Sequence, residues 1–124
     1  MDVRVRTTLP ASVSTPATAR AVVRDAVVRG RAGVRVEDVA LVVSELVTNA
    51  VQRGDGEITL DVVVETSGVH IAVEDGNLST PAPADRLPDT EPGRGLMLVS
   101  KIAAQWGVRP GDHGKVVWAD VVAS

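Results

Sequence analysis

The sequence predicts an α+β fold: a two-layer α/β sandwich in which a mixed, mostly antiparallel sheet carries helices 16–31, 36–52 and 95–104 on one face. Three observations carry that expectation. Long stretches repeat apolar residues at the helical period, while shorter ones alternate apolar and polar residues at the strand period. The alternating stretches are bounded by Gly-, Asp- and Ser-containing turns, which makes hairpins of them. The chain has no Phe or Tyr and only two Trp, so its core must come from Val, Leu, Ile and Ala, a β-branched set suited to a sheet covered by helices.

Composition narrows the field. With 124 residues, 44% hydrophobic and 23% charged, residues 1–124 are expected to form a single domain around one core. A net charge of -3, with no Lys/Arg run interleaved with aromatics, argues against direct nucleic-acid binding. The absence of cysteine excludes disulfides, thiolate metal sites and cysteine nucleophiles. Met1 to Arg6 alternates charge and lacks the apolar core of a secretory signal, and no run approaches the length of a membrane span. A cytoplasmic protein without membrane association is the expectation.

Val3-Arg4-Val5-Arg6-Thr7 alternates as an edge strand does, and Pro10 ends it. Thr15-Pro16 reads as an N-cap followed by proline at the first helical position, with Ala19, Val22, Val23, Ala26 and Val27 on one face of the helix and Gly30 and Gly33 punctuating its end. A second helix follows almost at once, so the two are expected to be antiparallel neighbours. In it Val36, Val39, Ala40, Val43, Leu46, Val47 and Ala50 recur at i, i+3, i+4 and i+7, opposite a polar stripe of Asp38, Glu45, Thr48, Asn49 and Gln52. Glu45 and Asn49 are one turn apart and project together, and a carboxylate beside a carboxamide is a place to hold water or a cation.

Gly54-Asp55-Gly56 turns the chain into a strand in which Ile58, Leu60, Val62 and Val64 share a face. Thr66-Ser67-Gly68 turns it again, into the hairpin partner Val69 to Asp75. Val69, Ile71 and Val73 point one way and Asp75 is next in that phase, so its carboxylate should face the helix-covered side, where it needs donors. Leu78 to Pro92 holds four of the chain's seven prolines and no periodic pattern; it reads as a lid. Gly93-Arg94-Gly95 then opens a helix with Leu96, Val99, Ile102 and Ala103 on its apolar face, a plausible phosphate seat because glycines let helix N-terminal N–H groups approach an anion. A last hairpin, Trp106 to Arg109 and Lys115 to Val122, completes the sheet around Pro110-Gly111-Asp112-His113-Gly114. His70 and His113 read as a strand-surface and a turn residue, Trp106 and Trp118 as packing residues, and neither Ser44 nor Ser100 has the partners of a hydrolase triad.

The order of these pieces resembles the GHKL ATPase/kinase pattern. In particular the chain resembles the small bacterial anti-sigma-factor serine/threonine kinases of that superfamily, which carry the Bergerat ATP-binding fold. The resemblance rests on Ser44-Glu45-Leu46-Val47-Thr48-Asn49-Ala50-Val51, Val73-Glu74-Asp75-Gly76, Gly93-Arg94-Gly95-Leu96-Met97-Leu98-Val99, and Trp106-Gly107-Val108 with Gly114-Lys115-Val116-Val117-Trp118-Ala119. It implies ATP and Mg2+ as cofactors, with Asn49 coordinating the metal, Glu45 acting as base or orienting the attacked hydroxyl, and Asp75 accepting from the adenine amino group. Gly76 and Asn77 would continue the adenine-side motif. Gly93, Arg94, Gly95 and Leu96 would serve the phosphates.

Three positions depart from the family pattern: Asn77 replaces a glycine, Arg53 a histidine, and Val116 a threonine whose hydroxyl could bond a water or the adenine side. The function implied is a kinase that sequesters a sigma factor and phosphorylates a small STAS-type anti-anti-sigma protein, with homodimerisation expected. The alternative is a nucleotide-gated or degenerate adaptor that binds a regulatory partner without phosphoryl transfer. The ATPase half of a histidine kinase is disfavoured, since a dimerisation helix and phospho-accepting histidine segment are not in this sequence.

Overall fold

The computed structural model describes residues 2–53, 56–75, 93–112 and 114–123. Among them the chain forms β1 (Val3–Pro10), α1 (Thr15–Gly30), α2 (Val36–Arg53), β2 (Glu57–Glu65), β3 (Gly68–Asp75), α3 (Gly93–Ile102), β4 (Gln105–Pro110) and β5 (Lys115–Val122). The strands make one sheet in the order β1-β2-β3-β5-β4. Every neighbouring pair is antiparallel. Among the described strands the sheet is therefore wholly antiparallel, within the expected two-layer α+β sandwich. α3 carries the chain back along the sheet, so β4 runs in the same sense as β3, and its hairpin partner β5 lies between them and opposes both.

Alternation divides the sheet's two faces. Ile58, Leu60, Val62, Val64, Val69, Ile71, Val73, Val117, Ala119 and Val121 are buried in the cluster that also takes Ala19, Val23, Val39, Val43, Leu46 and Val99 from the helices. That layer is the core, and β-branched chains fill it as the composition requires. The opposite face carries Thr59, Asp61, Val63, His70, Glu74, Trp118 and Asp120, all half-buried. On it His70 stacks on Trp118 at 5.9 Å between ring centroids and meets Asp120 at 2.6 Å. Trp118 also covers Gly107, where a Cβ would lie 2.9 Å from its ring.

Local boundaries differ from the expected ones for identifiable reasons. β1 continues to Pro10, which pairs with Glu57; an edge strand tolerates the missing N–H. Thr15 is the first residue of α1 rather than its cap, and Ser14 holds the cap position without a side-chain bond. The Thr15 hydroxyl instead donates to the Pro10 carbonyl and accepts from the Ser12 N–H, tying the connection to the end of β1. At the other end the left-handed residue is Arg31, with φ 53°, and not a glycine. Gly30 is required for packing: a Cβ there would run into the Val64 side chain. α3 starts at Gly93, so Gly93, Arg94 and Gly95 form its first turn instead of preceding it, and it ends at Ile102, two residues short of expectation.

Candidate functional site

Connectivity gathers the predicted residues at one end of the sheet. α2 ends at Arg53 and β2 begins at Glu57, and the second residue of β2, Ile58, pairs with Asp75. The last turns of α2 thus lie beside the end of β3. β5 starts there as well, because Val116 pairs with Glu74. α3 leads to the opposite end of the strands, where the Ala104 N–H donates to the Asp120 carbonyl at 2.8 Å. A ten-residue helix spans about 15 Å, so its N-terminus points back toward the end that holds Asp75.

Asn49 is 3% exposed. Neither its Oδ1 nor its Nδ2 has a hydrogen-bond partner among the described residues. The sequence placed Asn49 on a polar stripe away from the core, and the difference has a cause. α2 packs on α1, α3 and the sheet, and its buried arc includes Val42 as well as Val39, Val43, Leu46, Val47 and Ala50. Val42, Leu46 and Asn49 follow one another at i, i+4 and i+7, so Asn49 ends a covered stripe. Glu45, one turn earlier, is half-exposed. Arg20 of α1 donates to the Ser44 hydroxyl at 2.9 Å and fixes α2 at the neighbouring position.

A buried amide without a partner costs about 1–3 kcal/mol, so one that has none among the described residues calls for an explanation. Its oxygen is a hard donor suited to Mg2+, which prefers few protein ligands and keeps waters and phosphate oxygens for the rest. Among the described residues no group of three or more His, Cys, Asp or Glu could hold a metal by itself. An amide oxygen fits such a cation as one donor among several.

Asp75 points into the helix-covered layer, as its phase predicts, and is 2% exposed. Lys115 supplies two of its contacts. The Lys115 N–H donates to Oδ1 at 3.4 Å, and Nζ lies 3.6 Å from Oδ2 with the lysine side chain 3% exposed. Lys115 is a buried neighbour of Asp75 to which no role had been given, although its signal was present: it shares the phase of Val117, Ala119 and Val121, and a lysine in a core phase is unusual. Val116, by the same alternation, faces the outer side with Glu74, Arg109 and Gly111. A hydroxyl at 116 would share that outer phase, on the other side of the sheet from Asp75.

Gly93, Arg94, Gly95 and Leu96 supply the first turn of α3, whose N–H groups have no intrahelical acceptor. The Leu96 side chain belongs to the core, so what it can give an anion is its backbone N–H. Gly76, Asn77, the segment from Leu78 to Pro92 and His113 lie outside the described residues. The shallow clefts lined by His70, Gln105 and Asp120 and by Arg6, Asp61 and Arg109 belong to the outer face, across the sheet from Asp75. None of the predicted site residues lines either.

No curated protein matches this chain. Residues 9–121 match a protein family described as histidine kinase-like ATPase domain, and the match takes in Glu45, Asn49, Asp75, Lys115 and the first turn of α3.

Proposed function

The chain belongs to the family of histidine kinase-like ATPase domains, of the GHKL type and ATP-binding, and from that premise we propose that it is a protein serine/threonine kinase. In this reading it acts in the cytoplasm as an anti-sigma factor, sequestering a sigma factor and phosphorylating a STAS-type anti-anti-sigma partner, and it works as a homodimer. No described helix is long and apolar enough to cross a membrane. The observation that carries the reading is Asn49, buried with both amide atoms unpartnered among the described residues.

Asn49 would hold Mg2+ through its amide oxygen, and the metal would supply neutralisation of the phosphate charge. Asp75 accepts from the adenine amino group and sets the nucleotide's register. The N–H groups of the α3 first turn meet the phosphates, and the helix dipole favours their charge. Glu45 takes the proton of the substrate hydroxyl as that oxygen bonds to the γ-phosphorus and the bond to the bridging oxygen breaks, leaving ADP. Such transfer needs positioning, charge stabilisation and a proton acceptor, with no covalent protein intermediate.

The test is label transfer from γ-32P-labelled ATP with Mg2+ to a purified STAS-type anti-anti-sigma protein. Phosphoserine or phosphothreonine on the partner, abolished by Glu45→Ala with ATP binding retained, is the expected result. ATP binding without any label on the partner would assign the chain to the nucleotide-gated adaptors instead.

A further inference from the structure

The buried pair of Asp75 and Lys115 is more than a counter-ion arrangement, because it sets a donor beside an acceptor on one edge. The carboxylate only accepts, whereas the ammonium carries three N–H donors. Nζ and Oδ2 are 3.6 Å apart, and both residues are held in the same phase of adjacent strands, on the helix side of the sheet. Lys115 is further anchored by its own N–H on Asp75 Oδ1. The edge of adenine has the complementary pattern: an exocyclic amino donor next to the ring-nitrogen acceptor N1.

We propose that Lys115 reads the nucleobase together with Asp75, its Nζ donating to adenine N1 while the carboxylate accepts from the 6-amino group. The assignment rests on the reading of Asp75 as the adenine-binding carboxylate and adds a second point of recognition to it. A lysine there does what a neutral residue at 115 could not, since it both compensates the buried carboxylate and supplies the second contact. A hydrogen bond to a charged group contributes about 1.5–3 kcal/mol, which is roughly 10- to 150-fold in affinity.

Calorimetry with three nucleotides separates the two contacts. ATP has both groups, 1-deaza-ATP lacks only the N1 acceptor, and purine riboside triphosphate lacks only the amino group. The unaltered protein should bind each analogue roughly 10- to 150-fold more weakly than ATP. Lys115→Met should bind ATP about as weakly as the unaltered protein binds 1-deaza-ATP, and should no longer distinguish the two. Equal affinity of the unaltered protein for ATP and 1-deaza-ATP would overturn the proposal without relying on any variant's folding. So would a folded Lys115→Met that still discriminates between them. Equal affinity for ATP and purine riboside triphosphate would instead remove the amino-group contact of Asp75, and the N1 comparison would read Lys115 separately.

Discussion

Two buried polar positions at one end of this molecule are built on opposite plans. Asp75 and Lys115 compensate each other's charge across adjacent strands, through an ion pair, and share a backbone hydrogen bond. Asn49, on the helix above the sheet, is as buried as they are and has no partner among the described residues for either amide atom. A buried charge must be compensated within the fold because an isolated one is too costly to keep. A neutral amide can be left unpaired at a smaller cost, so it can be reserved for a ligand. On the proposed reading the paired residues hold the fold and read the nucleotide, while Asn49 costs stability and serves the ligand.

Substitutions should separate the two plans by the sign of their effect. The largest effect is expected for Asp75→Ala, which removes the buried carboxylate beside the Lys115 ammonium; urea unfolding should show a loss of about 3–5 kcal/mol. A loss below about 1 kcal/mol would mean that the pair is not a structural contact. Asn49→Ala should go the other way, since it removes an unsatisfied group and adds a better helix former, and a gain of about 1 kcal/mol in the same assay is expected. A clear loss of stability would show that the amide has a structural partner after all.

The smallest effect is expected at an exposed pair. Arg24 donates to Glu37 at 3.0 Å, with side chains 45% and 76% exposed. The hydrogen bond from Arg24, and then its charge, hold the Glu37 carboxyl below its ordinary range. Because the folded-state value is the depressed one, any contribution is present above the unfolded-state value and is lost as pH falls through the folded one. Arg24→Ala should return Glu37 to the ordinary carboxylate range in an NMR titration and leave the Tm at neutral pH unchanged, as screened surface pairs do. A drop of several degrees would break the contrast between buried and exposed pairs.

The fold was legible because its signals are periodic. The β2 and β3 alternation placed Asp75 on the helix side, and the repeat from Val36 to Ala50 marked α2. What sequence alone did not supply depends on contacts between distant segments. Lys115 becomes the partner of Asp75 only because β5 inserts between β3 and β4, an adjacency that chain order conceals. The burial of Asn49 depends on α2 being covered on more than one side, whereas a single apolar stripe suggested that its polar neighbours faced solvent. Gly30 looked like a helix stop, yet its reason is the close approach of Val64. The family resemblance assigned Asn49 and Asp75 their expected roles, and the geometry added the physical contrast between them.

The claim that Asn49 is reserved for a metal-bound nucleotide is tested most directly by a binding cycle: calorimetric affinity for ATP, with and without Mg2+, in the unaltered protein and in Asn49→Ala. The account predicts that the substitution and the removal of Mg2+ each weaken ATP binding, and that the two losses do not add, because both remove the same interaction. Full additivity, or an Asn49→Ala protein that binds ATP·Mg2+ as tightly as the unaltered one, would contradict it.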